Sequence, residues 1–117
     1  MLQLHVTTPQ RLSGARKTLR EQLRAQGVDD DHVRTLELVV GELSGAAYDA
    51  DVESPIVITV ETFARLHSVR MRGTRNLGLR HGDAFHLRER ILQRLTLAFG
   101  ERRNNDGTTD LWAEVAR

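Results

Sequence analysis

Apolar and polar residues alternate from the start of the chain. Leu2, Leu4 and Val6 are separated by Gln3, His5 and Thr7, the period of two of a half-buried strand, which Thr8-Pro9 ends. Past the proline the period changes. Leu12, Ala15, Leu19 and Leu23 recur at spacings of three and four, with Arg16, Lys17, Arg20 and Arg24 on much of the other surface, which predicts an amphipathic helix closed by Gly27. Asp29-Asp30-Asp31 then supplies capping carboxylates and negative charge for the positive end of a second helix. Val33, Leu36, Val40, Leu43 and Ala47 form one stripe of that helix, and Val39, Ala46 and Ala50 widen it until little need face water. It reads as the central core helix.

Ser54-Pro55 breaks the pattern, and strands are predicted at Ile56–Glu61 and Leu66–Arg72, with Thr62–Arg65 as the hairpin link. Residues 73–84 hold Gly73, Gly78 and Gly82 among Thr, Asn and Arg and read as an irregular loop. Leu87, Ile91, Leu92, Leu95 and Phe99 then predict a third amphipathic helix, stopped near Gly100. Asn104-Asn105-Asp106-Gly107 is a turn signal between short strands at Phe99–Arg103 and Thr108–Val115. Hairpin-joined strands with three helices left to cover one face predict an α+β domain over residues 1–117. Its expected form is a two-layer sandwich with a mixed, mostly antiparallel sheet.

Composition narrows the chemistry. The chain has 117 residues and no cysteine, which excludes disulfides, thiolate metal sites and cysteine nucleophiles. No apolar run approaches the roughly eighteen residues of a membrane span, and no signal-peptide pattern opens the chain, so a cytoplasmic location without membrane contact is expected. The net charge of +1 conceals opposed blocks: residues 1–28 sum to +4, 29–61 to −8, 62–94 to +6 and 95–117 to −1. All but one of the 17 basic residues are arginine, the side chain suited to planar contacts with carboxylates and phosphates.

The stretch Leu38-Val39-Val40-Gly41-Glu42-Leu43-Ser44-Gly45-Ala46-Ala47 resembles the N-box helix of the GHKL ATPases, in the form found in small bacterial anti-sigma-factor serine kinases. Arg90-Ile91-Leu92-Gln93-Arg94-Leu95-Thr96-Leu97-Ala98-Phe99-Gly100 is similar to a late segment of the same family, and the element order matches from end to end. The resemblance implies a histidine-kinase-like fold. It also implies that the family's ATP site is dismantled here. Glu42 matches the N-box glutamate, but the magnesium-binding asparagine is matched by Ala46, whose methyl group offers no oxygen ligand. The adenine-binding aspartate is matched by Gly73, and the glycines that follow it by Arg75 and Leu77. The glycines that let phosphates approach the third helix fall on His86-Leu87-Arg88.

The reading that follows is a regulatory, protein-binding domain resembling an anti-sigma factor, with a degenerate ATP site, no bound cofactor and no kinase activity. The alternative is an active ATP-binding anti-sigma-factor serine/threonine kinase with diverged motifs, in which Glu42 is the catalytic carboxylate. In the family the first helix and the nearby sheet edge contact a sigma factor or form dimers. Arg11, Arg16, Arg20 and Arg24 are therefore the expected partner face, toward a sigma factor or an anti-sigma antagonist with an acidic surface, and a homodimer is a further expectation. Arg70, Arg72 and Arg90 have two candidate uses: an external anion, or internal pairing with Glu42, Asp49 or Asp51. Aromatic residues are only 4%, so nucleic acid is disfavoured for want of a stacking platform. His81, Asp83 and His86 match no metal-binding spacing, and Ser44 and Thr35 have no histidine base near them in sequence. Trp112 reads as a core or interface anchor.

Overall fold

A computed structural model of the chain describes residues 1–50, 55–73 and 85–117, with the side chains of residues 49, 50 and 85 excepted. Strand β1 (Leu2–Val6) is followed by a single 3-10 turn at Pro9–Arg11 and by helix α1 (Leu12–Ala25), which buries Leu19 and Leu23. Gly27 stops α1 in the left-handed region at φ 82°, and the Val28 N–H turns back to the Leu23 carbonyl at 3.0 Å. Helix α2 (Asp30–Ala50) starts at once, with Asp30 and Asp31 in its first turn and the Val33 N–H on the Asp29 carbonyl at 2.8 Å.

Strands β2 (Ile56–Thr62) and β3 (Leu66–Arg72) form a hairpin closed by the Phe63 N–H on the Leu66 carbonyl. Helix α3 (Phe85–Leu95) leads to β4 (Ala98–Arg103) and, across the Asn104–Thr108 turn, to β5 (Thr109–Ala116). Gly107 at φ 86° and the Asp106 carboxylate, which accepts from the Thr108 N–H and hydroxyl, shape that turn.

The third helix is thus shorter than its periodicity predicts. It ends at Leu95, and the Leu97 N–H is already bonded to the Glu114 carbonyl at 2.7 Å. Leu97 is exposed between the two elements, and Phe99, which continues the helical spacing, packs on the core from β4.

The sheet order is β1-β2-β3-β5-β4, and all four observed pairings are antiparallel, not mixed. The chain leaves β3, passes through α3 to the edge at β4, and returns by the hairpin to set β5 beside β3. Registers Val6↔Ile56, Ile58↔Met71 and Met71↔Leu111 align the apolar positions of neighbouring strands on one face. Helix α2 lies against β3 and β5 there, between α1 and α3, which explains its wide stripe: Val33, Leu36, Val39, Val40, Leu43, Ala46 and Ala47 are all 0–1% exposed. The result is a two-layer α+β sandwich with a single contiguous core. Among the described residues no helix is long and apolar enough to cross a membrane.

Candidate functional site

The residues singled out by the N-box pattern lie where α2 meets α3. Arg88, in the first turn of α3, lays its side chain into this groove and is only 7% exposed. Its Nε is 3.8 Å from Oε2 of Glu42. One turn further along α2, a Cβ added to Gly45 would lie 3.1 Å from Arg88 Nη2, so the absent side chain is what lets the guanidinium settle against the helix. Ala46 is fully buried beside it in sequence and contributes a methyl group to the core. The groove therefore holds an internal cation paired with the Glu42 carboxylate. A nearly buried guanidinium beside a carboxylate leaves that carboxylate engaged.

Ser44 and Tyr48, one helical turn apart on α2, both bury hydroxyl oxygens without a hydrogen-bond partner among the described residues, and burial raises the Tyr48 phenol above its ordinary value. Gly73 closes β3 and is half-buried. Arg75 and Leu77, like Asp51, His81 and Asp83, lie outside the described residues, as does the side chain of Asp49. Among the described residues no group of three or more histidine and acidic side chains is arranged to hold a metal.

The basic face of α1 is largely turned to internal use. Arg20 donates through Nε to Glu37 Oε1 of α2 at 3.0 Å, and Arg24 donates to Asp30 Oδ1 at 3.0 Å. The Arg16 guanidinium covers Gly41, 3.7–3.8 Å from where its Cβ would stand. Arg11 is exposed in the 3-10 turn that precedes the helix.

Internal pairing of the second basic block is found: Glu42 is engaged as the sequence pointed to, but by a different arginine, and Arg72 takes a partner that was not expected. Arg88 takes Glu42. Arg72 turns to the sheet, donating to both carboxylate oxygens of Asp110 at 3.0 and 3.4 Å, and Asp110, 4% exposed, holds the Arg72 guanidinium above its ordinary value. Arg70 and Arg90 make no ion pair among the described residues. Cross-strand register explains the change, since Arg72 sits opposite Asp110 while α2 covers the other face.

Sequence reasoning missed a second polar centre at the beginning of α2. His32 Nε2 lies 2.7 Å from His67 Nδ1, with ring centroids 4.7 Å apart and planes tilted by 37°. His67 is fully buried on the core face of β3, and its Nε2 has no hydrogen-bond partner among the described residues. Burial, then His32, then the Arg117 guanidinium push its value down to about 4. His32 is lowered chiefly by burial and by Arg117, against a smaller opposing effect of Asp29. A cavity of about 570 Å3 adjoins His32, lined also by Val28, Asp29, Asp31, Thr35 and Arg117. The alternation that places Val69 and Met71 inside also places residue 67 inside, so the buried histidine was within reach of the strand pattern.

A scan against protein-family models and a search for curated relatives found no match to this chain.

Proposed function

We propose that this chain is a regulatory protein-binding domain of the anti-sigma-factor type, acting by contact with a protein partner and not by phosphoryl transfer. The observation that carries the reading is the Arg88 side chain, nearly buried in the α2–α3 groove against Glu42 and Gly45. In an ATPase of the resembling family, that groove must admit magnesium and phosphates. Phosphoryl transfer depends on a held metal and positioned phosphates, and here a fixed guanidinium lies beside the remaining carboxylate while Ala46 supplies no ligand. The α+β sandwich with α2 at its centre supports the resemblance at the level of architecture.

Isothermal titration of the purified chain with Mg-ATP tests the reading. The expected result is no heat of binding at micromolar nucleotide; metal-dependent micromolar binding would overturn it and restore the kinase alternative. On the partner side, pull-down with candidate sigma factors and antagonists is expected to depend on Arg11 and Arg16 more than on Arg20 and Arg24, whose charges are already engaged by Glu37 and Asp30.

A further inference from the structure

The cavity beside His32 is walled by two parts of the fold that bring opposite charges to it. The α1–α2 junction and the first turns of α2 supply Val28, Asp29, Asp31, His32 and Thr35, while Arg117 enters from the end of β5. The two signs do not neutralise each other. Among the described residues neither Asp29 nor Arg117 makes an ion pair. Both nonetheless act on the half-buried ring between them: burial lowers the His32 value most, Arg117 lowers it further, and Asp29 raises it. Asp31 is held only by Arg34 at 3.6 Å, with both side chains largely exposed.

The polar groups of this wall are held in place before any ligand arrives. Arg117 Nη1 donates to the Phe63 carbonyl at 2.7 Å, and the Arg117 backbone N–H donates to the Arg65 carbonyl at 3.0 Å. The residue is thereby tied to the β2–β3 hairpin by a neutral acceptor at each end, and its remaining guanidinium donors are left for an anion. His32 commits Nε2 to the fully buried His67 ring, so Nδ1 is the ring nitrogen left for a ligand. Thr35 donates its hydroxyl to the Asp31 carbonyl at 3.1 Å, which leaves its oxygen able to accept.

We propose that this cavity is a binding site for a small zwitterion, a free amino acid, with its carboxylate on Arg117 and its ammonium on Asp29. Charge selects this class. An inorganic anion or a simple carboxylic acid would meet Asp29 and Asp31 as well as Arg117, and a cation would meet Arg117 as well as the carboxylates. A ligand carrying both charges engages both walls at once. The volume of about 570 Å3 lies within the roughly 300–1,000 Å3 of small-molecule sites, and Val28, packed on the core, offers the ligand's carbon skeleton an apolar surface. The inference goes beyond the regulatory reading and does not rest on it, since Thr35 and Glu42 stand roughly 10 Å apart along α2.

Isothermal titration of the full chain with each of the proteinogenic amino acids tests it, with circular dichroism as a fold control for the variants. At least one amino acid is expected to bind with Kd at or below about 1 mM, and its deaminated acid and decarboxylated amine should each bind about tenfold or more weaker. Arg117→Gln and Asp29→Asn, both at exposed side chains, should each weaken the amino acid about tenfold. The orientation is read by crossing the two series. In Arg117→Gln the loss of the ligand's carboxylate should cost nothing more, and in Asp29→Asn the same should hold for its ammonium. The proposal is overturned if no amino acid binds in that range, if either analogue binds as tightly as the parent, or if both variants bind as the wild type does. Nucleotide titration reads the α2–α3 groove separately, so the two conclusions can fail independently.

Discussion

Helix α2 is fastened on both flanks by arginine and carboxylate, and the two flanks differ in how far water reaches the pair. Toward α1 the pairs are open: Arg24 and Asp30 keep 53% and 64% of their side chains exposed, and Arg20 is 40% exposed over a more covered Glu37. Toward α3 the pair is closed, with Arg88 at 7% and Glu42 at 29%. The same chemical pairing therefore has different consequences. In water the partners gain little by meeting and lose little by parting, while in the groove the guanidinium has given up its hydration and depends on what surrounds it. The first arrangement orients a surface. The second fills the groove between α2 and α3.

The largest expected effect comes from opening the closed flank. Glu42→Ala removes the carboxylate beside a nearly buried cation and should cost about 3 to 4 kcal/mol in urea unfolding, whereas Arg88→Met, which removes the charge and keeps the length, should cost less than about 1.5 kcal/mol. Equal losses from both would mean that the groove is held by shape and not by charge.

The next effect belongs to the histidine contact at the start of α2. His67 has a folded-state value of about 4, below the ordinary value near 6.5, so on acidification the unfolded chain takes up the proton first. The stability present above pH 6.5 should fall as the pH drops from there to about 4 and level off below, by up to about 3 kcal/mol. The lowered value of His32 acts in the same direction. Urea midpoints across this range should show the slope, and His67→Gln should flatten it.

A smaller contrast separates the glycines of α2. Gly41→Ala places a methyl group at ordinary contact distance from Arg16 and should stabilise the helix by about 0.5 to 1 kcal/mol. Gly45→Ala meets Arg88 at 3.1 Å, so the gain in propensity is offset and the net change should be near zero or unfavourable. Thermal unfolding of the two variants side by side gives the comparison directly. Of similar size or smaller, Arg20→Ala should cost about 0.5 to 1 kcal/mol and Arg24→Ala less than about 0.5, in the order of their exposure, with both effects fading in high salt.

Most of the fold was legible because period and punctuation agreed. Leu2–Val6, the helix closed by Gly27, the wide stripe of α2 and the Asn104–Gly107 turn each combine a spacing with a residue that stops it. The end of α3 was not legible, since Phe99 continues the helical spacing of Leu95 yet pairs with Ala113 of β5. Within the candidate site, Glu42 could be picked out as a match to the motif of the resembling family, and Ala46 and Arg88 as departures from it. That the third would settle against the first could not, because residues 46 apart meet only when α3 is laid beside α2. The His32–His67 contact spans 35 residues and was missed for the same reason.

The sequence by itself determined which segments are helix or strand and which face of each is apolar, because those depend on neighbours within a few residues. It also determined that the arginines vastly outnumber the lysine and stand in blocks opposite the acidic second helix. Only the tertiary structure decided the partners: Arg20 to Glu37, Arg72 to Asp110, Arg88 to Glu42, and Trp112 to the open face of the sheet. Charges attract without direction, so a sequence with many of both signs admits many pairings. The packing of apolar faces, which fixes helix positions and strand register, selects among them.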